Sequence, residues 1–137
     1  MNFDNLLRVL DETAVVAVVT TKADGQPIAT PIWSMVVDGV PYVRSVNGAS
    51  AWWYRHVRAG RPVAFVLGDG SISERDRAAA LDLPREQVAT VYVPVDDEVQ
   101  AKIDDELRRK YDGQTSSVDA MLSDDARSCT LRILPAH

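Results

Sequence analysis

The sequence predicts an α+β fold in which six mostly antiparallel strands curl into a small barrel with helices at its periphery. Two Asp-Gly pairs, Asp24-Gly25 and Asp38-Gly39, each stand between β-branched apolar runs and mark tight hairpins. Stretches with helical periodicity lie before, between and after these runs. A sheet of six strands with such turns removes its exposed edges by closing on itself, and this favours a barrel. A two-layer sheet with helices on one face is the rival architecture.

Each element follows from its residues. Phe3, Leu6, Leu7 and Leu10 recur at three- and four-residue spacing, which predicts a helix over residues 3–12 with Asn2 or Asp4 near its cap. From Ala14, "AVVAVVTT" is a first strand and, beyond "KADGQP", "IATPIWSMVV" is a second. Pro27 and Pro31 donate nothing to a ladder and place that second strand at an edge or a bulge. "VPYVRSV" is the third strand of a meander. Residues 49–59, "ASAWWYRHVRA", read as a helix capped by Ser50 and stopped by Gly60. "PVAFVL" is a fourth strand. Residues 68–87 read as a polar loop with one helical piece that Ser73 caps and Pro84 interrupts. "VATVYVPV" is a fifth strand. "DDEVQAKIDDELRRKY" is a helix with acids early and bases late, as its dipole favours, and Gly113 stops it; "SCTLRIL" is a sixth strand.

Composition bounds the partners. With 137 residues, 46% of them hydrophobic, the chain fits one domain with one core. The balance of 15 basic against 20 acidic residues, net charge −5, argues against a nucleic-acid partner, for which basic density is needed. No apolar run approaches the ~20 residues of a membrane span, and "MNFDNLLRVL" lacks the charge pattern of a signal peptide. Cys129 is the sole cysteine, which suits a reducing cytoplasm.

Hydrolytic motifs are missing. His56 is the only histidine inside the expected fold, and no HExxH, Cys-His spacing or G-x-S-x-G occurs. "LGDGS" reads as a turn rather than a nucleotide loop. Asp104, Asp105 and Glu106 read as the solvated face of their helix rather than as catalytic carboxylates.

The order helix, three-strand meander, helix, strand, with "PIATPIW", "PYVRSVNGAS" and "RPVAFVL", resembles the flavin reductase-like split β-barrel superfamily, which includes pyridoxamine phosphate oxidase-like proteins and deazaflavin-dependent reductases. Within it, "YVRSVNG", "WYR", "RRKYDG" and "CTLRILP" look most like the domain-of-unknown-function 2255 family. The resemblance implies a homodimer with a planar cofactor, FMN or coenzyme F420, in a groove between subunits. It also implies that the cofactor phosphate is held where the third strand meets the following helix, at Arg44, Ser45, Asn47 and Ser50. Backbone N–H groups, hydroxyls and a forked guanidinium suit that task. This chain departs from the pattern: members that bind FMN usually carry a basic residue just after the serine, and here Ala51, Trp52 and Trp53 follow Ser50. Arg44, Arg55 or Arg58 would have to substitute.

The aromatic residues Trp33, Tyr42, Trp52, Trp53, Tyr54 and Tyr111 are the candidates to shape a substrate pocket. Each also has a plainer role. Trp52 and Trp53 lie about 100° apart on a helix, so only one can point at the barrel while the other covers an interface. Trp33 and Tyr42 flank the Asp38-Gly39 turn and can form a cross-strand pair. Arg44 alternates with Val43 and can be a solvent-facing strand residue, and Ser45 and Asn47 can simply shape a turn. The leading functional reading is a flavin- or deazaflavin-dependent oxidoreductase that transfers hydride to a small organic substrate, the cofactor carrying the chemistry. A cofactor-free barrel enzyme, such as a cyclase or isomerase, and a non-catalytic flavin- or haem-binding protein are the alternatives.

Overall fold

The computed structural model describes residues 3–136. Helix α1 (Phe3–Glu12) leads into strands β1 (Val16–Thr21), β2 (Pro27–Ile32), β3 (Met35–Val37) and β4 (Val40–Arg44). A 3₁₀ turn (Gly48–Ser50) and α2 (Trp52–Arg58) follow, then β5 (Val63–Val66), α3 (Ile72–Arg75), α4 (Arg77–Leu81) and β6 (Arg85–Val93). The chain ends with α5 (Val99–Lys110), α6 (Thr115–Met121), α7 (Asp124–Arg127) and β7 (Thr130–Pro135).

All strand pairs are antiparallel, in the order β2-β1-β5-β6-β7-β4-β3. The two ends of the sheet, β2 and β3, are separated in sequence only by Trp33 and Ser34. The sheet is therefore curled, with its two edges joined through a single bent segment. The fold is α+β, as expected, but it has seven strands rather than six. The physical reason is a break at Trp33-Ser34: the first half of "IATPIWSMVV" pairs with β1 and the second half pairs with β4. Pro27 and Pro31 both lie in β2, an edge strand, where their missing N–H groups cost least.

Both Asp-Gly turns form. Gly25 takes φ +87, and the turn is closed by the Lys22 N–H donating to the Gln26 carbonyl at 2.9 Å. Asp38 (φ 51) and Gly39 (φ 78) are both left-handed, the conformation required at the two centres of a type I′ hairpin.

Strand β1 is buried on both faces, which explains its unbroken apolar sequence. Val16 and Val18 join the main core with Leu6, Leu10, Val43, Phe65, Leu131 and Ile133. Ala17 and Val19 face the opposite way, among Ala29, Ala64, Val66 and Ala80. Alanine is needed there because the α3–α4 segment approaches closely. A Cβ on Gly70 would lie 2.2 Å from the Ala17 nitrogen and 2.2 Å from the Val16 carbonyl carbon. A third cluster, with Met35, Tyr42, Ile103, Leu107 and Tyr111, anchors α5 to β3 and β4.

Other departures concern helix ends and the C-terminal third. The helix expected over residues 49–59 is split, because Ala51 is extended (ψ 134) and begins α2 without a side-chain cap; Ser50 instead closes the preceding turn. Gly60 ends α2 with φ 81, as expected. The polar segment holds two short helices rather than one, and the cap is Asp76, whose Oδ1 accepts from the Ala79 N–H at 3.1 Å. Strand β6 begins at Arg85, ahead of the expected Val88. Helices α6 and α7 carry no strong periodicity and were not foreseen. Asn2 and His137 lie outside the described residues.

Candidate functional site

The bend between β2 and β3, the seam between β4 and α2, and helices α4 and α6 enclose an open pocket of about 900 Å³. That volume lies within the ~300 to 1,000 Å³ common for small-molecule sites. Ile28, Pro31, Ile32 and Trp33 form one apolar wall; Ser45, Val46, Asn47 and Ser50 come from the seam, with Trp52 and Trp53 from α2. Arg77 of α4 and Ser116, Ser117, Ala120 and Met121 of α6 complete the lining, with Thr30 and Arg44. No helix among the described residues is long and apolar enough to cross a membrane.

Of the residues expected to hold a cofactor, Arg44, Ser45, Asn47 and Ser50 do line this pocket, and Arg55 does not. Their chemistry differs from expectation. Arg44 is 1% exposed, so it is neither a solvent-facing strand residue nor a free phosphate ligand. Its Nε donates to Thr130 Oγ1 at 3.1 Å, and Nη1 donates to Asp104 Oδ1 at 2.7 Å and the Met121 carbonyl at 3.1 Å. Nη2 donates to the side chain and carbonyl oxygens of Gln100 at 2.7 and 3.3 Å. A guanidinium has five N–H groups, and all five are spent inside the protein. Burial pulls its pKa below the ordinary arginine value, and the hydrogen bond and charge of Asp104 oppose that shift. Arg44 thus ties β4 to α5, α6 and β7 and holds the α6 wall of the pocket.

Asp104 correspondingly leaves the solvated face to which its spacing assigned it. It is 16% exposed and also lies 3.6 Å from Arg127 Nε. Glu106, paired with Arg109, is only 14% exposed; Asp105 alone of the three is strongly exposed, at 80%.

The seam serines are also committed. Ser45 Oγ donates to the Gly48 carbonyl at 2.6 Å and Ser50 Oγ donates to the Asn47 carbonyl at 2.9 Å. Ser45 is fully buried, and the exposed Ser50 hydroxyl, its single proton so used, is left to a ligand as an acceptor. Arg55 is exposed and its guanidinium carbon lies 5.5 Å from the centre of the Trp52 ring.

Among the expected pocket aromatics, Trp33, Trp52 and Trp53 line the cavity; Tyr42, Tyr54 and Tyr111 do not. Trp53 is buried and Trp52 is 72% exposed, the division that adjacent positions on a helix impose. Tyr42 is buried under α5, and Trp33 does not pair with it across the turn. Trp33 instead stacks on Tyr111, with ring centres 3.8 Å apart and planes 4° from parallel. Tyr54 belongs to the main core, edge-on to Trp53 at 5.9 Å.

Tyr111 therefore supports the pocket from behind. Its hydroxyl donates to the Ala14 carbonyl at 2.6 Å and accepts from the Ser34 N–H at 3.1 Å. Lys110 Nζ donates to the Leu10 and Ser34 carbonyls, both at 2.8 Å. These bonds pin the bend that carries Trp33. Burial pushes the Lys110 ammonium down to about 8 from an ordinary 10.5.

This shift has a sign. Between pH 8 and 10.5 the unfolded chain holds a proton that the folded chain has released, so stability rises with pH across that window. Tyr111, whose pKa burial raises above its ordinary 10.0, acts in the opposite sense only above that value. Urea midpoints are expected to rise from about pH 8 to about pH 10 in the wild type, with this Lys110 contribution lost in Lys110→Met. Equal pH slopes in the two proteins would show that Lys110 is not the source.

Nothing in the amino-acid pattern singles out Arg77, Thr30, Ser116 or Ser117. Arg77 sits in what read as a polar loop, and Ser116 and Ser117 lie on a helix whose pattern is weak.

The chain belongs to the family described as "Uncharacterized protein conserved in bacteria (DUF2255)", whose model matches residues 6–133. No curated protein matches it. Among solved structures, the conserved hypothetical protein Rv2991 from Mycobacterium tuberculosis is 19% identical, with a TM-score of 0.66 over 100% of this chain and 82% of its own. HutZ, the haem storage protein from Vibrio cholerae, is 13% identical, with a TM-score of 0.65 over 98% of this chain and 89% of its own. A candidate pyridoxamine 5′-phosphate oxidase from Listeria innocua is 16% identical, with a TM-score of 0.58 over 98% of this chain and 93% of its own. The chain shares its fold with these three proteins.

Proposed function

We propose that the pocket holds a planar aromatic cofactor of the flavin type, FMN or coenzyme F420, and that the protein is an oxidoreductase for a small organic substrate. The observation that carries this reading is the composition of the lining. The β2 wall of Ile28, Pro31 and Ile32, with Trp33 at its end, carries the Thr30 hydroxyl within it, and α6 adds the hydroxyls of Ser116 and Ser117 to a groove of about 900 Å³. A tricyclic ring suits the apolar wall, and a polyol chain suits the hydroxyls. None of those three hydroxyls has a hydrogen-bond partner among the described residues.

When bound, such a cofactor supplies hydride transfer. The protein's own residues would orient it: Trp33, braced by Tyr111, holds the ring plane, and Ile28, Pro31 and Ile32 exclude water from one face. The opening leaves the other face to a substrate. This division of labour requires no acid–base constellation in the protein.

HutZ is described as a haem storage protein, and a haem reading is the second possibility. It finds less support in this pocket. His56, the one histidine among the described residues, lies outside the lining, buried, with Nδ1 2.9 Å from Thr20 Oγ1. A single domain, a homodimer and a cytoplasmic location belong to the same proposal.

Anaerobic mixing tests the redox reading. Protein loaded with FMN is expected to bleach with NADH or NADPH faster than free FMN, or protein with reduced F420 to pass hydride to a quinone acceptor faster than reduced F420 alone. Rates equal to those of the free cofactors in both arms would remove the oxidoreductase assignment.

A further inference from the structure

The pocket has two arginines in its lining, and they are not equivalent. Arg44 has all five N–H groups bonded within the protein, one of them to the carboxylate of Asp104. Beside it on the seam Ser45 is fully buried with its proton on the Gly48 carbonyl, and the exposed Ser50 presents an acceptor because its proton goes to the Asn47 carbonyl. An anion placed at the seam would therefore meet lone pairs and a neutralised guanidinium. Asn47 is the only lining side chain of the seam able to donate N–H groups there.

Arg77 differs on each count. It stands at the start of α4, which packs on β2, and it lines the pocket from that helix rather than from the seam. It is exposed, and no hydrogen bond or ion pair to its guanidinium is found among the described residues. Its fork is thus available to a carboxylate, sulfonate or phosphate, for which arginine geometry is suited. The chain's net charge of −5 repels anions in general, so a local cation is needed for the pocket to select one.

We propose that Arg77 forms an anion subsite in this pocket, so that a planar aromatic ligand binds with its phosphate, sulfonate or carboxylate toward α4 rather than into the β4–α2 seam. The inference rests on the reading that the pocket takes a planar aromatic ligand, and it adds a direction and a charge preference. From Ile28 near the start of β2 to Ile32 at its end is about 13 Å at the extended-strand rise of ~3.3 Å per residue, and Trp33 stands just beyond. That length accommodates an aromatic body near Trp33 with a charged tail extending away from it.

Two dyes that share an aromatic body separate the charge from the ring. Anilinonaphthalene sulfonate carries the anion, and N-phenylnaphthylamine does not. Both would be titrated by fluorescence into wild type, Arg77→Gln and, as a control, Arg55→Gln, each checked for unchanged circular dichroism. The expected result is a sulfonate affinity about tenfold lower in Arg77→Gln, as befits one charge-assisted contact, with the neutral dye unchanged and Arg55→Gln like wild type. The sulfonate preference should also weaken with salt. If Arg77→Gln lowers both affinities equally, or leaves the sulfonate affinity unchanged, the anion subsite is wrong while the aromatic pocket stands. If neither dye binds wild type, the aromatic pocket and the subsite fail together.

Discussion

Replacing Arg44 with methionine is expected to cost about 3–5 kcal/mol of stability, the range for removing one partner of a buried ion pair. The side chain is 0% exposed, and Asp104, at 16%, would be left without its 2.7 Å partner. Gln100, Thr130 and the Met121 carbonyl would lose donors as well. Arg44→Lys is expected to recover little, because an ammonium has three donors in place of a five-membered fork. Arg44→Met combined with Asp104→Leu should be less damaged than Arg44→Met alone, since the stranded carboxylate is then gone. Urea denaturation of these three variants and of Asp104→Leu alone measures this. A double variant as unstable as the sum of its parts would show that the loss arises from packing rather than from an uncompensated charge.

Gly70→Ala is the second large effect. Its Cβ would meet backbone atoms of β1 at 2.2 Å, and β1 lies inside the sheet between β2 and β5. Neither side can retreat cheaply: the Gly70 N–H donates to the Val15 carbonyl at 2.9 Å, and the Ser73 Oγ donates to the Gly70 carbonyl at 2.6 Å. Overpacking typically costs ~1–3 kcal/mol where side chains can adjust, and a backbone clash belongs at or beyond the upper end. The midpoint of thermal unfolding should fall accordingly. Gly25→Ala offers a contrast. That site has open space around it, so its cost comes only from φ +87 and should be smaller. Equal losses in the two variants would contradict the packing described around β1.

These two positions illustrate how the sequence speaks. The curled antiparallel sheet was legible because Asp24-Gly25 and Asp38-Gly39 fix their turns locally, and local chemistry is what one sequence displays. The break at Trp33-Ser34 was not. It depends on Tyr111 and Lys110, more than 70 residues away, bonding to Ser34. The seam at Ser45, Asn47 and Ser50 was found because it is contiguous, and it does line the pocket. The state of Arg44 was invisible for the converse reason. Its partners come from α5, α6 and β7, and the sequence-level view of Asp104 as a solvated charge hid the one that matters most. Arg77 and the α6 serines reach the pocket only through tertiary packing, so no pattern in their own segments marked them.

The central claim, that this pocket takes a planar aromatic cofactor, is most directly tested by titrating FMN and coenzyme F420 into wild type and into Ala120→Trp. Ala120 is exposed on α6 and lines the pocket, so a large side chain there fills the cavity without entering the core. Quenching of tryptophan fluorescence should saturate with at least one cofactor in the wild type and weaken about tenfold or more in the filled variant, a loss of ~1.4 kcal/mol or more. Wild-type protein that binds neither cofactor, or an Ala120→Trp variant that binds as well as the wild type, would contradict the account.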